Sequence, residues 1–366
     1  DDTFSDSDIY CRQMMRQKRG FPLYDPEPRR TLAQAYQDRG VTIGDVGRIT
    51  PDGAFDFFFN VYLPADHPIN NNNVPDDFYP LPPFESVDVY DQSYRSGNHV
   101  STSSVQRLDP DLFPGGQFIL ECQPPQGAVL TLPHGSHVQK LENLQGLREY
   151  AAANAENWFK YINGPRGRGL NGSIYVITGC EKSPSWGLAT FHSVSKPQPF
   201  ELSFEPIGTA TRYRWAGNPA HKKSYNMSPT LSPDWNQAPF VHGLWISLGT
   251  SIWARLFETI RVGELTDPSF QPEASGSSSS RVHGSSSTLS RIWGLFHGGT
   301  YNASYGGGTR SIVAYDFPPA HEIFHPGSWI NAYIHHQVPN ADVIISHDDD
   351  WQDILSEASD IFQNLE

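Results

Sequence analysis

His347, Asp348, Asp349 and Asp350, followed directly by Trp351, concentrate ligating side chains more tightly than any other stretch of the chain. One imidazole beside three carboxylates could hold a divalent cation. Aspartate oxygens suit magnesium or calcium, and the histidine adds affinity for a transition metal. Successive side chains diverge from the backbone, however, so at most two of the three aspartates could reach one ion. The competing reading is a helix start, in which Asp348 or Asp350 accepts from free backbone N–H groups and the other carboxylates complement the positive end of the helix dipole.

The elements that must position this cluster are legible on both sides of it. Val343, Ile344 and Ile345 suit a buried strand, while Trp351, Ile354, Leu355, Ala358, Ile361, Phe362 and Leu365 recur with a helical period. The cluster therefore lies at a strand-to-helix junction, the edge of an open α/β sheet where ligands collect. Thr178–Lys182 closes a second apolar strand, Ser173–Ile177, with a thiol, a carboxylate and an amine. Lys182 could lower the pKa of Cys180 toward the reactive thiolate, and Glu181 opposes it; an ion-paired turn with an inert thiol is the alternative. If the two strands are parallel neighbours their ends meet at one edge. Cys180, Lys182, Trp186, His347 and Trp351 then become a candidate ligand-binding set, and His347, Asp348, Asp349 and Asp350 a candidate metal set.

Other motifs carry less. His321-Glu322-Ile323-Phe324-His325 matches HExxH, whose zinc chemistry needs both histidines on one helix face. Pro318 and Pro319 precede it and Pro326 follows His325 directly, which pushes His325 away from helical geometry. Arg166 and Arg168 in GPRGRG could meet an anion, but a solvated connection explains them as well. The chain contains no GxxxxGK[ST] and no GxSxG.

The whole chain sets further bounds. Its 366 residues carry 40 acidic and 26 basic side chains, a formal charge of −14, which argues against a nucleic-acid-binding surface. Cys11, Cys122 and Cys180 form no CxxC and are odd in number, which favours a reducing compartment and a cytoplasmic location over a disulfide scaffold. No apolar run reaches membrane-spanning length, and the opening DDTFSDSD is no basic-then-apolar leader; the missing initiator methionine leaves a removed leader open. A homo-oligomer is compatible with all of this.

The pattern along the chain predicts a single α/β domain over residues 1–366, with a mixed sheet, flanking helices and a β-hairpin near the N-terminus. Pro51-Asp52-Gly53 supplies the hairpin turn between Arg48–Thr50 and Ala54–Tyr62. Residues 64–116, rich in proline and asparagine, read as a long surface excursion, and the serine-rich stretch 275–290 as a surface loop. Strands are expected over Phe118–Cys122, Ala128–Leu132 and Trp186–Phe191, and the strongest helix over Val138–Ile162.

The phrases GVTIGDVGRITPDGAFDFFFNV, GAVLTLPHG, NGSIYVITGCEKSPSWG, FHPGSWINAYI and ADVIISHDDDW occur in this order between about Gly40 and Trp351. The ordered set resembles an uncharacterised family of intracellular proteins from mushroom-forming fungi. His134 departs from that pattern, standing where the family has an acidic residue, which weakens any metal role for that position. The resemblance extends to pink fungal chromoproteins and implies a small, non-covalent, indolone-type chromophore. The residues themselves add only compatible chemistry: aromatics make up 13% of the chain, and with several histidines they could enclose a planar ligand. The leading expectation is thus a protein that binds a small planar aromatic molecule, giving colour, without turnover. A metal-dependent enzyme using His347–Asp350 and a protein-interaction scaffold are the alternatives.

Overall fold

A computed structural model of the chain describes residues 5–108, 116–167, 174–192, 194, 198–208, 212–227, 235–256 and 324–352. The chain divides into two units, residues 1–260 with 323–366 and residues 261–322, and all the described residues belong to the first. In chain order the elements are α1 (Asp6–Met15), β1 (Phe21–Pro22), α2 (Gln34–Arg39), β2 (Asp45–Ile49), β3 (Phe55–Asn60), β4 (Val89–Tyr94), β5 (Asn98–Ser101) and β6 (Val105–Arg107). There follow β7 (Phe118–Cys122), β8 (Gly127–Leu132), β9 (Ser136–Leu141), α3 (Gln145–Asn163), β10 (Ile174–Ser183), β11 (Trp186–Phe191) and β12 (Phe200–Ile207). The last are β13 (Arg212–Ala216), β14 (His221–Tyr225), β15 (Gln237–Leu248), α4 (Pro326–Gln337) and β16 (Val343–His347).

Among the described residues the architecture is broadly α/β but mostly β, built on three sheets. The main sheet has eight strands around the long central pair β10–β15. The other edge of β15 is shared by β1 and β16, and the other edge of β10 by β2, which continues to β3, and β9, which continues to β4. A second sheet runs β14-β11-β8-β5 and a third β13-β12-β7-β6.

Side-chain alternation in the strands generates the layering. In β10, Ile174 and Val176 face a core shared with Leu147, Ala151, Trp158 and Phe159 of α3, while Tyr175 and Ile177 face a core shared with α1. That second core also takes Leu130 and Leu132 of β8 and Trp186 and Leu188 of β11. The opposite faces of the same two strands, through Val129, Ala189 and Phe191, pack on Phe118, Leu120, Leu202 and Phe204 of the third sheet. The order of layers is therefore α3, main sheet, second sheet with α1 beside it, third sheet. Each large apolar side chain enclosed this way contributes about 1.5–3 kcal/mol.

The hairpin forms as its turn residues require. Thr50 N–H donates to the Ala54 carbonyl at 2.9 Å, and Gly53 N–H to the Thr50 carbonyl at 2.8 Å. Gly53 has φ +76°, and a Cβ there would stand 2.6 Å from Cβ of Tyr24, so glycine is required on two grounds.

Three expectations need correction. Every ladder between named strands is antiparallel, so the sheet is not mixed. The segment read as one helix from Val138 splits into strand β9 and helix α3. Val138 and Leu141 have helical spacing, but pairing of β9 with β4 on one edge and β10 on the other outweighs it. Within the excursion 64–116 lie β4, β5 and β6, short strands whose largely polar, part-exposed residues leave no alternation to read. The stretch 275–290 and His321 lie outside the described residues.

Candidate functional site

The chain leaves strand β16 at His347 and turns into a helix over residues 349–352; the remaining helical positions, Ile354 to Leu365, lie outside the described residues. Because β10 and β16 both run antiparallel to β15, they point the same way, but β15 lies between them. His347 pairs with Leu244, and Leu244 with Val176, so the end of β16 aligns with the middle of β10. The two strand ends are thus not neighbours: Thr178 reaches His347, while Cys180 and Lys182 lie farther along β10.

Asp348 points into the protein and is 1% exposed. Its Oδ2 accepts from the Gly243 backbone N–H at 3.0 Å and from the Tyr175 hydroxyl, and its Oδ1 accepts from Trp351 Nε1–H at 3.0 Å. Gly243 makes this geometry possible, since a Cβ there would come within 2.4 Å of the Tyr175 ring. His325 completes the cluster, its ring stacked on Trp245 with centroids 4.3 Å apart. Its Nδ1 accepts from Gly327 N–H at 3.0 Å, which leaves the proton on Nε2, 3.5 Å from Asp348 Oδ1. Burial pushes the Asp348 carboxyl up to about 6 and the His325 imidazole down to about 3, so this contact is not an ion pair at neutral pH.

The neighbouring carboxylates turn elsewhere. Asp349 is half-exposed and meets Lys140 Nζ at 2.7 Å; against the opposing effect of burial, His347 and Lys140 hold its carboxyl below the ordinary aspartate range. His242 lies behind it, Nδ1 3.8 Å from Asp349, and burial followed by the Lys140 charge drives its pKa down to about 3. Asp350 accepts the backbone N–H of His347 at 2.7 Å, and His347 Nδ1 accepts that of Asp349 at 3.2 Å. The helix start is therefore served by Asp350 and the His347 ring rather than by the Asp348 side chain. Asp348, Asp349 and Asp350 diverge to three different partners and form no cation site with His347.

The remaining candidate residues are committed inside the protein. Cys180 is buried with its thiol against the Val41 carbonyl at 3.5 Å, and burial raises its pKa despite Lys182. Lys182 donates to the Arg39 carbonyl at 2.7 Å, and Trp186 Nε1–H to Gln237 at 3.3 Å. Glu181 pairs with Arg19 through both oxygens, Nε to Oε2 at 2.9 Å and Nη2 to Oε1 at 2.5 Å, rather than with Lys182. Trp351 is core. These five ligand candidates do not line a common pocket.

One arrangement has the order of a catalytic triad: Thr178 Oγ1 lies 2.8 Å from His347 Nε2, and His347 Nδ1 lies 3.4 Å from Asp349 Oδ2. Thr178 is fully buried, however, and the contact joins the end of β16 to β10 across β15. At the HExxH sequence, His325 is the extended N-cap residue of α4, with φ −128° and ψ 124°, and the helix begins only at Pro326.

Two features escaped sequence reasoning. Trp329 and Tyr333, one turn apart on α4, are 63% and 66% exposed, and the Phe324 ring lies 6.4 Å from Trp329. Asp6, His192 and His221 bring three ligating atoms within 4.8 Å of one another, the one such group of three among the described residues. The first could have been found from helical spacing once the inward face of α4 was known. The second has no local signal. No protein-family model and no curated protein matches the chain.

Proposed function

We propose that the protein binds a small planar aromatic molecule non-covalently, without turning it over, and that the outer face of α4 holds it. One observation carries this reading: Trp329 and Tyr333 expose two large rings side by side on a helix whose other face is fixed. That fixation comes from Asn331, whose Nδ2 donates to the carbonyls of Trp245 at 3.0 Å and Ile344 at 3.2 Å. Phe324 extends the aromatic surface, and the Arg12 guanidinium lies 4.4 Å from its ring centroid. Rigid aromatic side chains offer stacking area at little entropic cost, and a neighbouring cation favours an electron-rich ring system.

The resemblance to fungal chromoproteins supports an indolone-type ligand as the chemical class. Against turnover stands the burial of the Cys180 thiol and of the Thr178 hydroxyl. The test is titration with oxindole, the parent indolone, followed by the tryptophan fluorescence and backbone NMR shifts of the protein. Saturable binding that W329A and Y333A abolish is expected, with the absorption spectrum of protein from its natural source showing a band beyond its own aromatics. Oxindole shifts that map away from α4, or no binding together with no extractable small molecule, would refute the reading.

A further inference from the structure

We propose that Asp6, His192 and His221 form a zinc site with an open fourth position, independent of α4. The three residues come from elements that the fold brings together across long sequence distances. Asp6 opens α1, His192 follows the last residue of β11, and His221 begins β14. Strands β11 and β14 are in register through Thr190 and His221, and α1 is fixed at its start by Ser5, whose hydroxyl accepts the Asp8 N–H. Asp6 and His221 therefore sit on regular elements, and His192 on the residue that follows one.

One donor atom from each of the three residues lies within 4.8 Å of the other two, close enough for a small ion to gather them. His192 Nε2 lies 3.3 Å from Asp6 Oδ1, and His221 Nδ1 lies 3.0 Å from Asp6 Oδ2. Zinc bonds to nitrogen and oxygen imply donor separations of about 3.3–3.5 Å in a tetrahedron. The two imidazoles lie nearly parallel, 17° apart with centroids at 6.1 Å, so both edges face the same carboxylate. The two contacts use different oxygens of Asp6, so a tetrahedral shell around one ion requires the side chains to turn, and His221, 62% exposed, has room to do so.

Donor chemistry selects the metal. Two imidazoles and one carboxylate favour zinc or a neighbouring transition metal over magnesium and calcium, which prefer all-oxygen shells. Three protein ligands leave one position for water, the composition of a reactive rather than a purely structural zinc site. A plain hydrogen-bonded clamp of Asp6 on two histidines is the rival account, and the two differ in what the added metal does.

Metal-free full-length protein is titrated with zinc by calorimetry, and with cobalt(II), whose visible bands report tetrahedral nitrogen and oxygen ligation. One equivalent bound at micromolar zinc, with tetrahedral cobalt bands, is expected. H221A and H192A should each weaken binding by at least about a hundredfold, the upper range for loss of merely an outer partner. Zinc should raise the melting temperature of wild type but not of H221A. Because His221 is largely exposed, H221A keeps the fold, which circular dichroism checks. Equal zinc binding by wild type and H221A, or no binding by wild type at micromolar zinc, overturns the proposal.

Discussion

Asp348→Asn gives the sharpest test of how the buried end of β16 is held. An ordinary aspartate titrates near 3.8, whereas burial carries Asp348 up to about 6. Below the lower value the carboxyl is protonated in both folded and unfolded protein. Between the two values the folded protein keeps a proton that the unfolded chain has released, so stability falls as pH rises through this window. A difference of roughly two pH units corresponds to about 3 kcal/mol, fully lost above the folded pKa. Asparagine removes that pH dependence because it carries no charge.

Asparagine also meets a conflict. Gly243 N–H and Trp351 Nε1–H each point at one carboxylate oxygen of Asp348, so whichever way the amide is turned, its NH2 faces one donor. An unsatisfied buried donor costs about 1–3 kcal/mol. A protonated aspartate avoids this, since its hydroxyl can donate to the Tyr175 oxygen while the carboxyl still accepts from both N–H groups. D348N should therefore be less stable than wild type by about 1–3 kcal/mol near pH 4 and equal or slightly more stable near pH 7. Urea denaturation of both proteins at half-unit pH steps measures the difference, in which all other titrating groups cancel. Parallel pH profiles would refute the reasoning, because they would mean that Asp348 ionises in the fold as it does in the unfolded chain.

Three further outcomes follow from the same geometry. G243A should cost about 1–3 kcal/mol in thermal or urea unfolding, because its Cβ would displace the Tyr175 ring from Asp348; an unchanged stability would mean that the ring is free to move. K140A should raise the Asp349 pKa, read by carboxyl-carbon NMR, while changing stability by less than about 1 kcal/mol, since the pair is solvent-screened; an unmoved pKa would count against the contact. Cys11, Cys122 and Cys180 are all buried free thiols, so none should react with a disulfide reagent in native protein and all three should react in urea; fast native labelling of Cys180 would revive a reactive-thiol role.

How much of this was legible before the coordinates depends on whether the signal is local. The junction at Val343–Asp349 was readable because a short apolar run followed by helical spacing needs no knowledge of partners. The direction of each aspartate was not. Whether Asp348 turns inward depends on Gly243 supplying an N–H and leaving room for Tyr175, and those residues lie 105 and 173 positions away. The same limit explains β9: its residues have the spacing of a helix, and only the free edges of β10 and β4 make a strand the better way to satisfy their backbone groups. Of the residues that the sequence offers for a ligand, Cys180, Trp186 and Trp351 serve as core, and Lys182 and His347 are taken up by the Arg39 carbonyl and Thr178.

Asp6, His192 and His221 show the extreme of this dependence on tertiary structure. Asp6 alone reads as an acidic residue in the first turn of a helix, where the dipole already favours it. His192 follows β11 and His221 opens its neighbour β14, but they belong to no spacing motif, and the connection between them itself forms β12 and β13 of another sheet. Only the docking of α1 against β8 and β11 brings the carboxylate to both imidazoles. A convergence assembled from three elements by core packing should be lost whenever α1 undocks, even with all three donors intact. Substitutions that loosen α1 without touching the donors, such as M14A at a fully buried position, should therefore weaken zinc binding more than they change the cobalt spectrum of the molecules that still bind. Normal zinc affinity in a variant whose α1 amides exchange freely would show that the histidines alone hold the metal, and that Asp6 is not a ligand.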